Sequence, residues 1–263
     1  MDKSNSGSSA CSGGAGYLIQ AAIGGSGVSN FSLTASEEYR NITISIAPNT
    51  QSVGGWQITQ EIPFEYDSAK GKTPALVQLD ATHYLCAYSG DGDDGWATVL
   101  TVDTGTCGIS RGTPFEFDTE KGKTPDLVKI DTTHYLCAYA GDGDDGWATV
   151  LTVDTGTWGI TKETPFEYDS VKGKTPAQAW MDTSRYLCAY AGDGDDGWAT
   201  VLTVDTGTWS ITQGTPYEYD AVKGKASALE QLNTDHYLCV YAGDGDDGWA
   251  VVLTPSDGSG LSP

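Results

Sequence analysis

The chain has 263 residues, 38% of them hydrophobic and 10% aromatic, which is ample for a packed core and too much for a disordered protein. Its formal charge of -22 excludes the basic face with which a nucleic-acid binder neutralises phosphates, and it disfavours anionic membranes. Cations, basic surfaces and neutral polymers such as glycans remain as partners.

Residues 1–16 are rich in Ser and Gly and read as an arm. Met1 to Asn5 opens no signal peptide, and the apolar run Tyr17 to Ile23 is too short to span a bilayer, so no membrane insertion is expected. Residues 17–55 form a non-repeated β segment with three strand-like runs, Tyr17 to Ile23, Asn30 to Ala35 and Asn41 to Ala47. They suit a small β-domain, a degenerate copy of the unit that follows, or a strand given to a neighbouring molecule. Sequons at Asn30 and Asn41 make these the candidate glycosylation sites.

From Trp56 onwards a 51-residue period takes over, marked by Gly-Asp-Gly-Asp-Asp-Gly-Trp beginning at Gly90, Gly141, Gly192 and Gly243. The copies run 56–106, 107–157, 158–208 and 209–263. In the first copy, Trp56 to Asp67, Ala75 to Leu79, His83 to Tyr88 and Trp96 to Val102 read as strands separated by Gly, Asp and Pro turn chemistry. No helical period occurs in the copies, so the class is all-β.

Four short strands, a tryptophan and glycine turns in each unit of this length resemble the blades of β-propeller repeat proteins. The resemblance covers about 200 residues of the chain and implies a four-bladed propeller over 56–263. If each blade takes its outer strand from the next copy, the last copy stops near Leu253 one strand short and the first begins with one to spare. Trp56 to Asp67 is therefore expected to close the ring within one chain, or else to complete the last blade of a neighbour.

The acidic loops hold 12 of the 36 acidic residues: Asp91, Asp93 and Asp94, Asp142, Asp144 and Asp145, Asp193, Asp195 and Asp196, and Asp244, Asp246 and Asp247. Carboxylates with glycine-freed carbonyls are the ligands calcium takes, which makes these residues a possible calcium site. Lys70 and Lys72, with their copies at 121 and 123, 172 and 174, and 223 and 225, offer the alternative of an ion-pair ring. Asp103-Thr104-Gly105, copied at 154 and 205, matches the short signature of aspartic proteases but reads as a hairpin turn. His83, His134 and His236 share one position that Arg185 fills in the third copy, so they read as surface residues at strand ends. The Pro-Phe/Tyr-Glu-Tyr/Phe-Asp segments beginning at Pro63, Pro114, Pro165 and Pro216 read as ring packing between blades, with sugar contact the alternative.

Cys86, Cys137, Cys188 and Cys239 share a strand position and read as core. Cys11 and Cys107 break the pattern, Cys107 standing where the other copies have tryptophan, and are expected to form a disulfide, within one chain or between two, in an extracellular setting.

Polar groups repeat with little change, and no acid, base and nucleophile come together among the substitutions Cys107, Trp180, Met181 and Arg185, so the sequence argues against an enzyme. The first functional reading is an extracellular structural subunit that polymerises with itself through its amino-terminal arm. The alternative is a multivalent, lectin-like glycan binder with calcium at the acidic loops.

Overall fold

A computed structural model of the chain describes residues 58–256 and 260–262. The arm, the three early strand-like runs, Cys11, Asn30 and Asn41 lie outside the described residues.

The first sheet holds β1 (Lys72–Gln78), β2 (His83–Ser89), β3 (Gly95–Val102), β4 (Ile109–Arg111) and β5 (Phe115–Asp118). The second holds β6 (Lys123–Lys129), β7 (His134–Ala140), β8 (Gly146–Val153), β9 (Ile160–Lys162) and β10 (Phe166–Asp169), and the third β11 (Lys174–Trp180), β12 (Arg185–Ala191), β13 (Gly197–Val204), β14 (Ile211–Gln213) and β15 (Tyr217–Asp220). The fourth consists of β16 (Lys225–Gln231), β17 (Tyr237–Ala242), β18 (Gly248–Ser256) and β19 (Gly260–Ser262). Every pairing is antiparallel, and the outermost strand of each of the first three sheets comes from the following copy, as the phase of the repeat predicts. That outer strand is broken in two, because Gly112 turns inward to donate to the Val99 carbonyl at 2.8 Å and Pro114 has no N–H to give.

Successive sheets pack face to face, with β1, β6, β11 and β16 side by side at the inner edge. Side chains alternate along a strand, so Leu85, Ala87, Ala97 and Val99 present one face of the first sheet to Tyr135, Cys137, Tyr139, Leu151 and Val153 of the second. Alanines opposite tyrosines let the sheets approach closely, and the same set recurs between the second and third sheets and between the third and fourth. Both faces of the central strands are covered, which is why Leu136 through Tyr139 are all buried. The four repeat cysteines are buried in this packing, and loss of water pushes the Cys86 thiol up to about 11.

Lysine-glycine-lysine segments connect one sheet to the next beside the acidic loops. A side chain at Gly122 would run into the Gly95 backbone, so the close crossing requires glycine there.

Two expectations are corrected. Ile58 to Asp67 forms no strand, and Ile58 is 99% exposed. The edge it was to complete belongs to the fourth sheet, and β16 does not pack beside β1 as the other inner strands pack together, so among the described residues the segment has no strand to pair with. The fourth sheet also does not stop near Leu253: β18 runs on to Ser256 and folds back onto β19, giving a short outer strand.

Candidate functional site

Each acidic loop is a single tight turn closed by the backbone, with Gly90 donating to the Asp94 carbonyl at 2.8 Å and Gly92 and Asp93 both in the left-handed region. Lysines surround it. The ammonium of Lys72 meets Asp93, Lys123 meets Asp144, Lys174 meets Asp195, and Lys225 meets Asp246 at 2.6 Å. A further lysine arrives from the adjoining copy, where Lys223 donates to the Gly194 carbonyl at 3.2 Å and approaches Asp195 at 3.4 Å. Hydrogen bonds from these lysines hold Asp93, Asp144, Asp195 and Asp246 below the usual carboxylate range. Among the described residues no three His, Cys, Asp or Glu side chains gather as a metal-binding group. The geometry is that of a lysine–aspartate ion pair repeated at each acidic loop.

At the opposite end of the sheets, Asp103, Asp154 and Asp205 each accept a backbone bond at 2.8 Å from the glycine two residues on, which is turn chemistry repeated on separate sheets. The histidines there are not merely surface residues. His83 stacks on Trp158 with centroids 3.7 Å apart, and His134 on Trp209 at 3.6 Å, so each ring pair ties one sheet to the next. A signal for it was present: where the histidine gives way to Arg185, the tryptophan expected 75 positions on gives way to Gly260. Arg185 turns to Asp182 instead, at 2.5 Å. Cys107 is an exposed thiol in a left-handed turn.

The copies match closely along their middle strands and diverge at the inner ones. Ala75-Leu76-Val77-Gln78-Leu79 becomes Asp126-Leu127-Val128-Lys129-Ile130, then Ala177-Gln178-Ala179-Trp180-Met181, then Ala228-Leu229-Glu230-Gln231-Leu232. The third copy departs furthest, and its changes lie on the β11–β12 hairpin. Gln178 and Trp180, two residues apart, share the face turned to the second sheet. There the Gln178 backbone donates to Asp126 Oδ2 at 2.7 Å, and its side-chain amide to the Asp126 carbonyl at 3.0 Å. Loss of water around the Asp126 carboxyl pushes its pKa up to about 6, against the pull of these bonds. Trp180 is 47% exposed, and its cross-strand partner is Tyr186. Gln178 Oε1 and the Tyr186 hydroxyl are buried with no hydrogen-bond partner among the described residues. A carboxyl whose pKa burial raises, two buried polar atoms without partners among the described residues and a half-exposed indole thus lie on β6, β11 and β12. Of this group the sequence reading singled out only Trp180.

No family model matches the chain, and no curated protein matches it. Among solved structures, a Lactobacillus plantarum protein superposes with a TM-score of 0.55 at 15% identity, over 73% of this chain and 53% of its own. A candidate 6-phosphogluconolactonase from Bacteroides uniformis gives 0.51 at 11% identity, over 70% and 53%. A sialidase of Streptococcus pneumoniae gives 0.47 at 12%, over 64% of this chain and 27% of its own. The chain thus spans about half or less of these structures.

The expectation that the chain is not an enzyme is corrected on this finding: the fold it shares carries enzymes, a candidate lactonase among them. Repeated polar groups therefore do not argue against catalysis, since unlike residues collect on the inner strands while the rest of each blade stays uniform. Four antiparallel sheets built from 51-residue copies, the first three each completed by the next copy, together with this shared fold make the chain a β-propeller repeat protein.

Proposed function

We propose that the chain binds a carbohydrate at the β11–β12 hairpin and the facing Asp126 of the second sheet. The observation that carries this is the pair of buried, unpartnered polar atoms, Gln178 Oε1 and Tyr186 Oη, beside a half-exposed Trp180. A buried hydrogen-bonding atom without a partner costs about 1–3 kcal/mol, and a bound hydroxyl can relieve that cost. Sugars combine hydroxyls that need directed partners with apolar ring faces that lie flat on indole. The high negative charge favours a neutral or basic glycan over an acidic one.

The test is a neutral-glycan array followed by calorimetry with the best hit, on the wild type and on Trp180→Ala, with and without calcium. Loss of stacking worth about 1–1.5 kcal/mol predicts roughly tenfold weaker binding in the variant. Equal affinity of the variant, or no glycan bound at millimolar concentration, would refute the proposal. Incubating the hit with the protein and looking for cleavage tests whether Asp126, which can give up a proton near neutral pH, does chemistry there.

A further inference from the structure

The two end sheets carry the two halves of an interface that the molecule already builds three times. Between neighbouring sheets, one face supplies Leu, Ala, Ala and Val and the other Tyr, Cys, Tyr, Leu and Val. The fourth sheet keeps the first set as Leu238, Val240, Ala250 and Val252, with nothing opposite among the described residues: Val240 is 42% and Val252 47% exposed, where their counterparts Ala138 and Val150 are buried. The first sheet keeps the second set as Tyr84, Cys86, Tyr88, Leu100 and Val102; Cys86 and Tyr88 are buried, Tyr84, Leu100 and Val102 are only partly so, and Ile109 beside them is 39% exposed against 7% for Ile160 and 5% for Ile211.

The backbone is complementary as well. Tyr66 packs on Tyr88 with centroids 5.1 Å apart and Asp67 accepts the Tyr88 hydroxyl at 2.9 Å, the same contacts that Phe117 and Asp118 make with Tyr139 across a formed interface. The segment before β1 is therefore held where the outer strand of a preceding sheet would run, its Tyr66 carbonyl accepting from Arg111, yet among the described residues it pairs with no strand. In the fourth sheet, Gly248 to Ala250 lacks the strand that β5, β10 and β15 provide to the corresponding residues of the other sheets. One end holds out a strand without an edge, and the other an edge without a strand.

We infer that a second copy of this chain docks head to tail, its first sheet covering the fourth sheet of its neighbour and its Phe64 to Asp67 segment completing the edge at Gly248 to Ala250. Such a contact is heterologous, so it closes into a ring or continues as a chain of copies.

Full-length protein examined by sedimentation from about 1 to about 100 µM should be a dimer or larger species. Val252→Asp and Ile109→Asp each spoil one half of the contact. Either alone should sediment as a single chain, while an equimolar mixture should give a one-to-one complex and nothing larger, since one intact pair of faces remains. Melting curves confirm that both variants fold. A second arm uses His236→Cys in a Cys11→Ser background with a short bismaleimide. Across formed interfaces the equivalent residues, His83 and Trp158, have rings 3.7 Å apart, so the new thiol should cross-link to Cys107 of another copy and give covalent dimers or ladders. A wild type that stays at one chain's mass throughout, variants that still assemble, or a cross-link formed within a single chain would each overturn the inference.

Discussion

Asp126 offers a direct check on the inner-strand geometry. Its folded pKa of about 6 stands above the model-peptide value of 3.8, so between these values the folded chain keeps a proton that the unfolded chain has lost. Stability from this group is therefore greatest below pH 4, declines as pH rises through 6, and is level above it. Two pH units at about 1.4 kcal/mol each set a ceiling of about 3 kcal/mol, and partial exposure brings the working figure nearer 2. The perturbation is Asp126→Asn, which keeps an oxygen for the Gln178 backbone bond and cannot ionise. Urea unfolding of both proteins at pH 4, 5, 6 and 7 isolates the effect as a difference, because the many lowered aspartates titrate alike in both. The wild type should lose about 2 kcal/mol relative to the variant between pH 4 and 7, or about 4–8 °C in melting temperature for a domain of this size. A difference that stays flat, or rises with pH, would mean that Asp126 stands in water and that the facing strands are not packed as described.

Gly122→Ala should cost more than about 3 kcal/mol or prevent folding, because the added methyl meets the Gly95 backbone and no flexible side chain can give way; thermal melting and soluble yield read this out. Lys123→Ala, which removes an ammonium from half-exposed Asp144, should cost about 0.5 kcal/mol in low salt and less in high salt, by urea unfolding. Tyr139→Phe, which deletes the 2.9 Å bond to Asp118 from a buried ring, should cost about 1–2 kcal/mol with little change in the urea slope.

The blades were legible because their signals are local. Short apolar and aromatic runs bounded by turn residues, Tyr-Leu-Cys-Ala-Tyr and Trp-Ala-Thr-Val-Leu, marked two strands of each copy, and the glycines of the acidic loop marked the turn between them. The phase of the repeat also revealed that each sheet borrows its outer strand. What local signals could not carry was the partner of an end. Trp56 to Asp67 has a strand's sequence, but a strand exists only beside an edge, and no property of those residues says whether an edge is there. Conversely β19, drawn from a Gly/Ser-rich tail, lacks β propensity and forms because the β18 edge lies within reach. The ring pair of His83 and Trp158 joins residues 75 positions apart and shows in sequence only through the joint loss at Arg185 and Gly260. Gln178 and Asp126 were passed over because single polar replacements on one strand look like drift until the neighbouring strand is placed beside them.

That last distinction yields its own experiment. The middle strands have little freedom, since each alanine faces a tyrosine of the next sheet and a larger group on either side would force the two apart. The inner strands are freer, and the third copy has used that freedom at a cost, burying an amide oxygen and a tyrosine hydroxyl without partners. Restoring the first copy's residues in place of Gln178, Ala179, Trp180 and Met181 (Gln178→Leu, Ala179→Val, Trp180→Gln and Met181→Leu together) should remove the amide penalty and raise stability by about 1–2 kcal/mol. Glycan binding should disappear in the same protein. A replacement hairpin that destabilises by a similar amount while binding persists would show that these four residues hold the fold together and that the site lies elsewhere. Gain of stability with loss of binding is the signature of residues kept for their ligand, and repacking for its own sake does not produce it.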